Sequence, residues 1–167
     1  CRHSSALVQA ELPKYAVIVL AAAWTGYAQR SPRLFEDVAA FASRLALQGH
    51  QVILMGRVQA LTGYDRRCAE RALRVPFKNC PPLLVPIDAE IERTNGMLRE
   101  VASRIPNVRY FDANRWLCPG TFCKDRTAAG LPRYVDSGHL TVPGAEELGR
   151  TVLKEEGMPD AFSLSHP

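Results

Sequence analysis

Two apolar stretches with an amphipathic segment between them constrain this chain more than any other feature. Tyr15-Ala-Val-Ile-Val-Leu-Ala-Ala-Ala-Trp24 is apolar throughout, with β-branched residues at its centre. A strand with no polar face is one covered on both sides, as in a parallel sheet. Gln51-Val-Ile-Leu-Met55 reads the same way. Between them, Ser31 is placed to cap a helix and Pro32 to fill its first position. Leu34, Val38, Phe41 and Leu45 then recur at three- and four-residue steps, and Gly49 ends the helix. Strand, helix and strand joined by short connections imply two parallel strands with a right-handed crossover.

The rest of the chain extends this pattern. Gly63, Cys80, Pro81, Pro82 and Pro86 punctuate residues 57–86, which have room for a short helix over 66–73. Ile87, Ile91, Leu98, Val101 and Ile105 share one face and predict a helix over 87–105. Val108-Arg-Tyr-Phe111 is a third strand, ending in Asp112. Thr141 can cap a last helix, with Pro143 in its first turn and Leu148 and Val152 facing inward. The expected architecture is a three-layer α/β fold with a mostly parallel sheet, formed by one domain over residues 1–157, with 158–167 as a loose tail.

Composition narrows the possible functions. The chain has 167 residues, 47% of them hydrophobic and 23% charged, which is enough for one full core and unlike a disordered or fibrous chain. Its longest apolar run is the ten residues Tyr15–Trp24, against the ~20 a spanning helix needs. A net charge of +4, with Lys and Arg scattered, argues against a nucleic-acid partner. The opening Cys1-Arg2-His3 has neither Met nor a charged-then-apolar leader and reads as a piece of something longer.

In an open parallel sheet, functional groups collect beyond the carboxyl ends of the strands. One loop there stands out: Tyr134-Val135-Asp136-Ser137-Gly138-His139-Leu140-Thr141, just before the last helix. On a tight turn the Asp136 carboxylate can reach the Nδ1–H of His139, fix its tautomer and leave Nε2 as a general base. The plainer alternative is that Asp136 caps a turn while His139 packs. The other histidines compete poorly: His50 follows a helix stop, and His3 and His166 are terminal. No serine sits on the sharp strand-to-helix turn a nucleophile needs. Ser31, Ser43 and Ser103 belong to helices, Ser137 is adjacent to Asp136, and Ser4, Ser5, Ser163 and Ser165 lie near the ends.

Five cysteines, Cys1, Cys68, Cys80, Cys118 and Cys123, allow two local disulfides, 118 with 123 across Pro119-Gly120 and 68 with 80. Such bridges fit an oxidising compartment. Reduced thiols acting as small hydrophobes are the alternative. A zinc site would need a second short Cys/His pair, so no metal is expected, and no cofactor.

The block Tyr134-Val-Asp136-Ser-Gly-His139-Leu140-Thr141-x-x-Gly144-Ala145 resembles the last conserved block of SGNH/GDSL-type hydrolases. It is most similar to the form in the SGNH domain fused to the C-terminus of bacterial type-three membrane O-acyltransferases. The strand Ala16–Trp24 and the loop Cys118-Pro-Gly-Thr-Phe-Cys123 after Asn107–Asp112 resemble further blocks of that domain. Cys68 and Cys80 fall where it carries another pair. The resemblance implies a flavodoxin-like SGNH fold, here lacking its first strand and so incomplete at the N-terminus. It also implies a place on the periplasmic face of a bacterial inner membrane. The activity would be acyl transfer, typically of acetyl, from a donor delivered by the membrane acyltransferase domain to hydroxyls of a cell-surface glycan. His139 matches the general base and Asp136 its orienting acid.

Two departures bear on that reading. The family's G-D-S nucleophile block would precede Cys1, and the strand end reads Ala22-Ala23-Trp24, with Ala23 where the fused form carries Arg. Purified as it stands, the chain should therefore show negligible esterase activity. Cys1 would pair with a cysteine of the preceding segment. A free-standing periplasmic esterase and a non-catalytic glycan-binding module remain as alternatives. Exposed Trp24, Tyr27 and Trp116 are the residues expected to stack on sugar rings, with a place in the core as the plainer alternative.

Overall fold

A computed structural model describes residues 2–65, 67, 68, 71 and 74–162. The possible pairing of Cys1 and most of the expected helix over 66–73 lie outside the described residues. So do residues 163–167 and the side chains of Ser4 and Ser5. The chain folds as two units: residues 1–57 with 93–112 and 159–167, and residues 58–92 with 113–158.

The first unit carries the expected parallel sheet. Strands β1 (Val17–Leu20), β2 (Gln51–Met55) and a third, β4 (Val108–Phe111), lie in the order β1-β2-β4. Ile18 is level with Val52, and Val52 with Val108. Cross-strand partners share a face, so Ile18, Val52, Leu54 and Val108 line one side. There they join Val38, Ala42 and Leu45 of helix α3 (Leu34–Leu47) and Leu98 and Ala102 of helix α4 (Ala89–Arg104) in one core. Full burial is worth roughly 1.5–3 kcal/mol for each of the Val, Leu and Ile side chains among these. On the opposite face Ile53 is fully buried, and Phe111 meets Phe162 edge-to-face with ring centroids 4.9 Å apart.

Three sequence expectations are corrected here. The first apolar run is a strand only over four residues, and Val19 is 46% exposed, because β1 lies at the edge of the described sheet. Helix α3 begins at Leu34, without a side-chain cap from Ser31. The Ser31 carbonyl accepts from the Leu34 N–H instead, closing a turn ahead of the helix. Helix α4 starts at Ala89, not Ile87, because Asp88 caps it, Oδ1 accepting from the N–H groups of Glu90 and Ile91. Within the stretch expected as a loose tail, Ala161 is buried and its carbonyl accepts from the Gln51 amide at 2.9 Å.

Gly49 ends α3 as expected, at φ +90°, a conformation only glycine adopts without strain. The Gly49 N–H reaches the Ala46 carbonyl and the His50 N–H the Leu45 carbonyl, the paired bonds of a Schellman stop. His50 is buried, its Nδ1 2.8 Å from the Tyr15 carbonyl.

The second unit is less regular. It holds an antiparallel pair, β3 (Leu84–Pro86) with β5 (Phe122–Lys124), and two helices in contact with each other, the short α5 (Asn114–Leu117) and the long α6 (Val142–Glu156). Two disulfides staple it, Cys68–Cys80 and Cys118–Cys123. Cys123 is fully buried and level with Val85 on β3. Polar side chains replace a regular ladder elsewhere. The buried Gln59 accepts from the Asp88 N–H at 2.9 Å, and its own N–H donates to Asn114 Oδ1 at 2.9 Å.

Candidate active site

The loop carrying Asp136 and His139 is a closed hairpin inside the second unit. Tyr134 pairs with Leu140 in an antiparallel bridge, and the Val135 N–H donates to the His139 carbonyl at 2.7 Å. Asp136 Oδ1 accepts from the N–H groups of Gly138 at 2.8 Å and His139 at 2.9 Å. A short carboxylate bonding the backbone two and three residues on is the local reason this sequence turns here. The same carboxylate meets the imidazole: His139 Nδ1 lies 2.8 Å from Oδ2 and 2.9 Å from Oδ1.

Both readings of the spacing are therefore realised in part. Asp136 does cap a turn, and it also clamps His139. His139 does not pack, since its side chain is 83% exposed. With Nδ1–H donating to a carboxylate, Nε2 is left as the acceptor nitrogen. The Gly138 N–H first, and then the imidazole, hold the Asp136 carboxyl below its ordinary 3.8, so it is ionised across the physiological range.

The loop stands on a buried base. Tyr134 is fully buried, and burial pushes its hydroxyl up to about 12, against the opposing pull of Arg133. Tyr64 donates to the Tyr134 carbonyl at 2.8 Å, their rings edge-to-face at 6.3 Å, and the Leu61 N–H donates to the Ser137 carbonyl at 2.7 Å. Arg133 is buried and ties the loop to its surroundings, donating to Glu147 of α6 at 2.8 Å and to the Leu117 carbonyl at 3.3 Å. Partial burial pushes the Glu147 carboxyl up, but the Ala128 N–H and Arg133 outweigh it and hold the group below its ordinary value. Thr141 caps α6 as expected, its Oγ1 accepting from the Gly144 N–H at 3.1 Å. A side chain at Gly144 would overlap the Arg133 carbonyl.

This supporting set (Tyr64, Leu61, Arg133, Glu147) is what sequence reasoning missed. The close approach of the Arg133 backbone to the helix start leaves one mark in the sequence, Gly144, three residues after the cap.

The remaining expected residues divide. The four disulfide candidates pair as expected. Trp24 is corrected: it is 6% exposed, lies in the core of the first unit and donates from its indole to the Met55 carbonyl at 2.8 Å. A ring held so cannot stack on a ligand. Tyr27 is about half exposed. Trp116 is half-buried, donating to Glu155 at 3.0 Å, with the Arg115 guanidinium 5.3 Å from its ring centre. Ala23 precedes helix α2 (Trp24–Ala28) and offers no side-chain cap. Among the described residues no group of three or more His, Cys, Asp or Glu side chains is arranged to hold a metal.

These observations define an α/β protein with a parallel sheet and an exposed carboxylate–imidazole pair on a hairpin loop. Residues 1–154 match the family described as "SGNH domain (fused to AT3 domains)", and the chain belongs to that family. Among solved structures it is similar to the periplasmic domain of a lipopolysaccharide acetyltransferase from Salmonella ser. Paratyphi A, with a TM-score of 0.58 and 19% identity. The match covers 83% of this chain and 56% of that one, so the chain spans a little over half the solved domain. That likeness shows the flavodoxin-like SGNH fold. A search among curated proteins gave no match. Among the described residues no helix is long and apolar enough to cross a membrane.

Proposed function

We propose that this chain supplies the Asp–His part of a Ser–His–Asp site that moves acyl groups, acetyl foremost, onto hydroxyls of a cell-surface glycan. The acyl donor would come from the membrane acyltransferase domain to which this family is fused. The periplasmic face of a bacterial inner membrane is the place this implies, and two disulfides suit such an oxidising compartment.

One observation carries the reading: both oxygens of an ionised carboxylate lie within 2.9 Å of Nδ1 of an exposed imidazole. Asp136 orients the ring and stabilises the imidazolium. Nε2 removes the proton from the attacking hydroxyl and returns it to the leaving group. The serine comes from outside the unit that holds the pair. Ser137 is the one serine in that unit, adjacent to Asp136, with its carbonyl engaged by Leu61. Trp116, in the unit that holds the pair, is the aromatic ring proposed to stack on the acceptor, and Trp116→Ala should weaken oligosaccharide binding.

The test is Asp136→Asn in the membrane acyltransferase that carries this domain. Acyl transfer should fall by about 10⁴-fold, with the fold intact, because the imidazole would then hold the wrong tautomer. An unchanged rate would remove Asp136 from the chemistry. The isolated chain should hydrolyse p-nitrophenyl acetate no faster than background. Hydrolysis that disappears in His139→Ala would reveal a nucleophile within it.

A further inference from the structure

The second unit contains a cavity of about 330 Å³, walled by the Cys68–Cys80 disulfide, Tyr64, Pro81, Leu83 and Pro132, with Asp65, Asp125 and Arg126 among its lining residues. We propose that this cavity binds one neutral, polyhydroxylated ring, a single saccharide residue of the glycan that serves as acyl acceptor. This inference rests on the function proposed above and adds a location for the acceptor.

Size comes first. Small-molecule pockets begin at about 300 Å³, so the space suits one sugar ring and excludes a folded partner. Charge comes second. Asp65 is ion-paired with Arg71, which leaves Asp125 and Arg126 as opposite charges in one wall. Such a wall attracts neither an anion nor a cation overall, but offers acceptors and donors to hydroxyl groups. Arg126 is fixed in place: Nη2 donates to the Cys80 carbonyl at 3.1 Å and Nη1 to the Gly130 carbonyl at 3.4 Å, both of them lining residues of the cavity. Asp125 is buried, with Oδ1 accepting from the Leu83 N–H at 3.0 Å. The disulfide, proline and leucine surfaces supply an apolar wall for the C–H face of a ring.

Connection to the dyad is the third argument. The wall segment Leu61–Tyr64 is bonded twice to the loop that holds Asp136 and His139, once through Leu61 to the Ser137 carbonyl and once through Tyr64 to the Tyr134 carbonyl. A sugar seated against Tyr64 is therefore held in fixed register with His139. Positioning of this kind is what turns a bimolecular transfer into an effectively intramolecular one.

The experiment is an NMR titration of the ¹⁵N-labelled chain with methyl α-glycosides of galactose, mannose and rhamnose, and separately with inorganic phosphate. Saturable shifts at Tyr64, Leu83 and Arg126 with at least one glycoside, and none with phosphate, are expected. Asp125→Asn retains the acceptor for the Leu83 N–H but loses the charge, and should weaken glycoside binding about tenfold. Pro81→Trp, at an exposed rim position, should block the cavity, and circular dichroism melting would verify that it folds. Glycoside shifts confined to other residues, shifts with phosphate alone, or no saturable shift would overturn the site. So would full binding by a folded Pro81→Trp. Loss of acyl transfer in Asp136→Asn of the parent enzyme is read separately. If transfer survives there while glycosides still fill the cavity, the catalytic reading falls and the sugar site stands.

Discussion

Asp136 has two tasks, and its titration should report both. Its carboxyl is held below the ordinary 3.8 by the Gly138 N–H and by His139, so its support for the hairpin is fully present above that value. The support is lost as pH falls further, through the lowered value in the folded chain. A ¹³C-detected titration should find Asp136 protonating below pH 3.8, and His139→Ala should move that midpoint upward. A midpoint at the ordinary value in the unaltered protein would mean the carboxylate is not held as described. At this scale the sequence was informative where interactions are local. Asp136 reaches His139 across three residues, and the motif displayed that spacing. Trp24 misled because its fate depends on the Met55 carbonyl, 31 residues away, which no spacing rule exposes.

Among the elements, those with local signals were the legible ones. The Thr141 cap and the Gly49 stop were readable because each acts on backbone within a turn of itself. The β3–β5 pair was not readable, since its strands are three residues each, include Pro86 and lie 35 residues apart. The same close packing makes α6 sensitive at its start. Gly144→Ala would press a methyl group onto the Arg133 backbone and should lower stability by about 1–3 kcal/mol in urea unfolding, while an exposed substitution such as Lys154→Ala should change little. Wild-type stability in Gly144→Ala would show that Arg133 can yield. The disulfides should rank by the loops they close. The chain-entropy relation gives about 3 kcal/mol for Cys68–Cys80, with a separation of 12 residues, and about 2 kcal/mol for Cys118–Cys123, with 5. Melting of the two paired Cys→Ser variants would measure this order, and a reversal would show that burial of Cys118 and Cys123 dominates loop entropy.

For the whole molecule, family and fold were legible because the sheet-forming runs and the block from Tyr134 to Ala145 are present in a chain that spans a little over half the solved domain. The buried hold on Ala161 was not, because it joins Gln51 to a residue 110 positions later. The central claim is that His139 is the base of an acyl transfer whose serine lies outside the unit holding it. It is tested most directly by measuring acetyl transfer to glycan in the intact membrane acyltransferase bearing His139→Ala, with its folding and expression matched to wild type. Transfer should drop to background. Transfer at the wild-type rate would leave the exposed imidazole without a role in the chemistry.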